Sequence, residues 1–339
     1  MYDREEDGLV GVVGATHESC AGERHVVGAL CHACYLRARA TRDSRRRQTD
    51  RHEHRLVPVG IDLSGPARGN ALLVTKYSPT GTKTRGTLNN CGTGKTPWGT
   101  FLTGEENWFG YFTRGAADDA ARGNDKSVTS LKRYGRSQGA ASRHGWETGG
   151  ADDKYQRWNN SKTGASANGS DDYRNEMNGM GYIVEIDAYD KTRMAKKRTA
   201  LGRFAHESAA FGKAVVGQPL SIYMGDDSRG EYIYKFVTTA VWSAADANPT
   251  DRMAVGDKYL DSGKLYAAKF NADGTGQWLE LTYGKNGLDA SNAAYPFADQ
   301  GDVVTHARLA ADKLGAMEPF VVVPCQRLQR LDRVLDLAG

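Results

Sequence analysis

An all-β fold is predicted by three observations. Short runs of alternating β-branched and aromatic residues recur, almost every run is bounded by Gly, Asn or Asp, and few long helical periods lie between them. With 40 Gly against 9 Pro the chain is turn-rich, as a sandwich, barrel or propeller requires.

In chain order, the first clear strand is "GYIVEIDAY" (Gly181 to Tyr189), followed by "LSIYMGDD" (Leu220 to Asp227) and "GEYIYKFVTTAVW" (Gly230 to Trp242). "KLYAAKFNADGTGQWLEL" (Lys264 to Leu281) reads as a hairpin, with "NADGTG" as the turn between two strands. Tyr232 to Phe236 and Tyr266 to Phe270 repeat a Y-x-x-K-F-like pattern, which suits blades or any meander. The polar stretch from Arg114 to Gly179 is long for a loop and reads as a lid, a metal-binding insertion or a disordered segment.

Three zones differ in composition. Residues 1–55 are rich in Arg and His, lack lysine and show no period. Residues 56–316 carry the strand pattern. Residues 317–339 are again free of lysine, and Leu328, Leu331, Val334 and Leu335 share one face of an expected short helix.

A net charge of +4 over 339 residues, with no focused basic stripe, argues against a nucleic-acid binder. No apolar run is long enough for a membrane helix. The acidic start "MYDREEDG" is no signal peptide, and the arginines of "SRRRQ" have no apolar segment after them. No export signal is readable, so the location expected from the chain as written is cytoplasmic or unknown.

The five cysteines (Cys20, Cys31, Cys34, Cys91 and Cys325) have no disulfide-framework spacing. Cys31 and Cys34 could form half of a zinc site, but no second pair follows.

The segment "LNNCGTGKTPWGTFLTGEENW" (Leu88 to Trp108) poses the functional question. Its "GTGKT" ends like a phosphate-binding loop, but Asn89 stands where the motif needs its first glycine, and "PWGT" is a poor helix opening. The segment offers metal donors instead: the soft thiol of Cys91, the carboxylates of Glu105 and Glu106, and the amides of Asn89, Asn90 and Asn107. Further carboxylates stand at strand ends. Glu185 lies among apolar neighbours, where a lone charge is costly. Glu207 follows His206 near Arg203, and Asp226 and Asp227 precede Glu231. Salt-bridged strand edges and Asp-capped turns are the alternative reading of each.

Five blocks then resemble, in order, the signature segments of the PhoX family of bacterial alkaline phosphatases. They are "GTLNNCGTGKTPWGTFLTGEENW", "GYIVEID", "RTALGRFAHESA", "YMGDDSRGEYIYKFV" and "GKLYAAKFNADGTGQWLEL", within a resemblance running from about Ser64 to Ala316. The resemblance implies a six-bladed β-propeller, a mixed iron–calcium cofactor and hydrolysis of small phosphate monoesters by a monomer that is periplasmic or secreted through the twin-arginine route. It implies that Cys91 is the iron-binding thiolate, that Glu106 (with Glu105 beside it) is an acidic ligand, and that Glu207 ligates iron or calcium. Glu185, Asp226 and Asp227 also fall in family segments, so the expected ligand set is Cys91, Glu105, Glu106, Glu185, Glu207, Asp226 and Asp227.

The chain departs from the family pattern in three places. Gly104 stands where the family often has cysteine. "MEPFVVVPCQ" follows Ala316 in place of a segment of the type M-D-R-P-E-W. The head does not match the family. Both ends read as another reading frame or a damaged copy, so the alternative expectation is an incomplete, non-catalytic propeller.

Overall fold

The computed structural model describes residues 60–316, except 191, 272 and 274; the expected head, the C-terminal helix and the Cys31–Cys34 pair lie outside the described residues. Eleven strands form two open sheets among the described residues. The first has the order β2-β1-β6-β5-β4-β3. It comprises β1 (Gly60–Ser64), β2 (Lys83–Arg85), β3 (Asn90–Lys95), β4 (Phe101–Glu105), β5 (Ile183–Ile186) and β6 (Lys196–Arg198). The second has the order β11-β10-β9-β8-β7. It comprises β7 (His206–Phe211), β8 (Pro219–Asp226), β9 (Ile233–Val241), β10 (Gly263–Phe270) and β11 (Gly276–Glu280).

The alternating runs in the sequence become these strands because each has a face to bury. Leu220, Ile222 and Met224 of β8, Tyr234 and Phe236 of β9, and Leu265 and Ala267 of β10 all enter one apolar core. The "NADGTG" hairpin is present, with Phe270 opposite Gly276 and Tyr266 opposite Glu280. One pairing is parallel, β1 with β6, which places Lys197 and Arg198 in the middle of the first sheet.

Helices are more numerous than the strand pattern suggests. They are α1 (Asp118–Ala121), α2 (Lys126–Arg133), α3 (Asp153–Gln156), α4 (Arg252–Leu260), α5 (Gln300–Thr305) and α6 (Ala307–Leu314). Asp125, Asp251 and Asp299 cap the starts of α2, α4 and α5 by accepting backbone N–H bonds. The short helices escape a periodicity search because most span only one or two turns.

The stretch 114–179 is a packed insertion. Trp108, Tyr111, Phe112, Leu131, Tyr134, Trp158 and Met177 form its apolar core. Asp118 receives Arg114 at 2.5 Å and Arg122 at 2.7 Å, and Asp172 receives Arg174 at 2.8 Å. Among the described residues no helix is long and apolar enough to cross a membrane.

Candidate functional site

The site begins with glycines. Gly92 and Gly94 lie two apart on β3 and therefore face the same way, and Gly104 lies on the paired strand β4. A Cβ at Gly92 would overlap the carbonyl of Glu207, one at Gly94 the carbonyl of Ala209, and one at Gly104 the carbonyl of His206. The hairpin of β3 and β4 thus meets strand β7 backbone to backbone, and only glycine allows that approach.

Two register irregularities sit at this junction. The β3–β4 ladder shifts between Asn90 and Thr93, and the β7–β8 ladder between His206 and Ala209. A bulge re-aims the side chains it carries. Here the two bulges carry Cys91 and Glu207.

Glu106 follows the end of β4, and Asp227 follows the end of β8. Glu106 is hydrogen-bonded to both Cys91 and Asp227 and feels the charge of Glu207. Asn107 donates to its Oε1 at 2.8 Å. Burial pushes the Glu106 carboxyl up to about 7; Cys91 opposes that shift, while Asp227 and Glu207 add to it. Burial, then Glu106 and Glu207, hold the half-buried Cys91 thiol above its usual range. No cation appears among the groups that act most strongly on either residue. The result is an acidic corner of one thiol and three carboxyls. Among the described residues no three His, Cys, Asp or Glu side chains stand close enough together to hold a metal ion as they are placed.

Glu105, Glu185 and Asp226, expected as ligands beside these four, are placed differently. Glu105 is fully buried and accepts from Leu88 N at 2.8 Å, Lys197 Nζ at 2.8 Å, Gly181 N at 2.9 Å and Tyr182 N at 3.1 Å. Four donors fill a carboxylate's four lone-pair directions. Glu185 accepts from Thr100 Oγ1 at 2.5 Å, Trp98 Nε1 at 2.9 Å and Arg198 Nε at 2.7 Å. Asp226 takes a two-pronged bond from Arg308, 2.8 Å on each oxygen. These carboxylates anchor strands through protein donors. Lys197 and Arg198, adjacent on β6, supply two of the counter-charges.

The remaining neighbours are structural as well. His206 is buried and donates from Nε2 to the Gly202 carbonyl, 2.9 Å away, while burial lowers its pKa to about 3, so the ring is neutral. Arg203 is buried between the rings of Trp108 and Tyr134, 4.8 and 4.0 Å from their centroids. Gly94, Lys95 and Thr96 do not open a helix. Gly94 and Lys95 end β3, Thr96 and Thr100 close the turn into β4 with a 3.0 Å backbone bond, and Lys95 is exposed. A phosphate-binding helix start is therefore absent there.

Sequence reading missed the tight glycine contact and the counter-ions. The glycine pair at positions 92 and 94 was the available signal, since alternate glycines in a strand mark close backbone approach. Lys197 and Arg198 gave none, because nothing local links them to residues 92 or 13 positions earlier.

The sequence profile of "Alkaline phosphatase PhoX" matches residues 32–319. The chain belongs to the alkaline phosphatase PhoX family. Among solved structures, "Pseudomonas fluorescens PhoX in complex with vanadate, a transition state analogue" superposes with a TM-score of 0.64 at 39% identity. The match covers 80% of this chain and 43% of that one, so the chain spans less than half of that PhoX structure. No curated protein matches. PhoX is a metalloenzyme family, and thiol and carboxyl groups are donor types that metal ions take. Cys91 and Glu106, each partly buried and hydrogen-bonded to one another, are a soft and a hard donor side by side, with Glu207 and the exposed Asp227 next to them.

Proposed function

We propose that this chain forms the metal-holding corner of a PhoX-type phosphomonoesterase acting on small phosphate esters. The observation that carries the reading is the grouping of Cys91 and Glu106 with Asp227 and Glu207 where two bulged ladders meet. The thiol suits iron and the carboxylates suit iron or calcium, so Cys91 would take iron, with Glu106, Asp227 and Glu207 sharing both ions. When bound, such ions supply Lewis-acid stabilisation of the charge that develops on a phosphoryl group. The chain's own part is positional. The glycine contact fixes Cys91 and Glu207 at a set separation, and the 3.0 Å bond from Asp227 N to Ala205 O ties the Asp227 end to the strand that carries Glu207.

In this reading the two open sheets are part of the family's six-bladed propeller, and the protein acts as a monomer in the periplasm or outside the cell. It is supported by the profile match and by the 39% identity over 80% of the chain.

The test is turnover of p-nitrophenyl phosphate by purified protein supplied with iron and calcium. Turnover is expected in the parent protein, with a loss of at least about 100-fold in Cys91→Ser and Glu106→Gln, the scale for removing one group that stabilises developing charge. A parent that takes up no metal and hydrolyses nothing sinks the enzymatic reading and leaves the alternative, a non-catalytic propeller portion.

A further inference from the structure

The turn that carries Asp227 is gripped from two helices. Arg308, on α6, places Nε and Nη2 each 2.8 Å from the Asp226 carboxylate, and Nη2 also donates to Ser228 Oγ at 2.9 Å. Its Nη1 lies 3.4 Å from Glu231. Arg133, the last residue of α2, holds Glu231 from the other side at 2.5 and 2.8 Å. Arg133 also binds Asp312 of α6 at 2.6 and 2.9 Å, and Tyr232 donates to the same Asp312 at 2.7 Å. The two arginines, the turn and α6 therefore form one closed network.

The network is buried where it meets β8: the Arg308 side chain is 4% exposed and that of Asp226 is 0%. Burial works against the Arg308 charge, but Asp226 and Glu231 outweigh it and hold the guanidinium above its ordinary range. Asp226 and Asp227 are consecutive, so with Asp226 turned into the clamp, Asp227 turns toward the other side of the strand end, where Glu106 is.

We propose that Arg308, braced by Arg133, is a positioning residue: by fixing Asp226, Ser228 and Glu231 it sets where Asp227 meets Glu106. This rests on the phosphatase reading for its catalytic consequence, though not for its structural one. A lysine at 308 keeps the charge but loses the two-pronged geometry, so Asp227 is held less tightly while the fold remains.

Arg308→Lys is compared with Arg174→Lys, which breaks a similarly buried pair inside the insertion, where Arg174 Nε alone reaches both oxygens of Asp172. Both variants are expected to melt earlier than the parent. Only Arg308→Lys is expected to lose at least half of its bound iron and calcium and about tenfold in kcat on p-nitrophenyl phosphate at little change in KM. Its backbone amides at 205–207 and 226–231 are expected to exchange about tenfold faster. The proposal is overturned if Arg308→Lys matches Arg174→Lys in metal content, kcat and local exchange. If the parent neither holds metal nor turns over, the phosphatase reading fails, and exchange at 226–231 alone decides the clamp: no local acceleration overturns it. Should Arg308→Lys not fold, Ser228→Ala, which removes one acceptor of the same arginine, must shift the same amides in the same direction, and an unchanged pattern there overturns the proposal.

Discussion

Neighbouring carboxylates in this protein live in opposite surroundings. Glu105 is sealed among three backbone amides and Lys197, whereas Glu106, one residue on, shares its space with Cys91, Asp227 and Glu207. Asp226 and Asp227 divide in the same way, the first clasped by Arg308 and the second facing Glu106. Residue type and position in the chain hardly distinguish the members of each pair. What separates them is the company they keep: Glu105 and Asp226 are given cations or backbone amides by the fold, whereas Glu106 is given the Asn107 amide and, around it, a thiol and other acids.

The sharpest way to break this comparison is to truncate one member of a pair. Glu105→Ala leaves Lys197 buried without its carboxylate and three amides without an acceptor. It is expected to cost about 3–5 kcal/mol in urea denaturation, the usual penalty for orphaning a buried charge. Glu106→Gln, next door, removes an acid from among acids and is expected to change stability by less than about 1 kcal/mol once solvent screening is allowed for. Equal losses at both positions would erase the distinction. Gly94→Ala tests the junction that creates the corner. Its methyl group meets the Ala209 carbonyl, and the expected cost is about 3 kcal/mol, the upper range for forced overpacking, read by the same denaturation.

The insertion adds a contrast in pH. Burial by itself would raise the carboxyls of Asp118 and Asp172. The Lys162 amide with Arg122 and Arg114 outweighs it at Asp118, and Arg174 with nearby amides outweighs it at Asp172, so both lie below their ordinary values. A carboxyl depressed in the folded state contributes stability that is present above the unfolded pKa, near 3.9, and is lost as pH falls through the folded value. Amide exchange should therefore speed up in 114–179 before it does in β8 and β9 as the pH drops below about 4. Simultaneous loosening of both regions would count against this assignment. The smallest effect is expected at Lys95: Lys95→Ala should stay within about 0.5 kcal/mol of the parent, as for other exposed positions without partners.

The strands of the second sheet were legible because alternation is local: β8, β9, β10 and β11 each announce themselves within ten residues. The junction was not, since it depends on β3 meeting β7 more than a hundred positions later. Cys91, Glu106, Glu207 and Asp227 could be named as candidate donors from the sequence. Glu105, Glu185 and Asp226 could not be separated from them, because their counter-charges at Lys197, Arg198 and Arg308 are distant in the chain. Arg308 itself, on a helix of eight residues, offered no motif that would tie it to the turn after β8.

The most direct measurement is the metal content of the protein after loading with iron and calcium, in the parent, in Glu106→Gln and in Asp226→Asn. The account predicts bound metal in the parent, near-complete loss in Glu106→Gln and a partial loss in Asp226→Asn, whose effect passes through the turn. Metal retained in full by Glu106→Gln would contradict it.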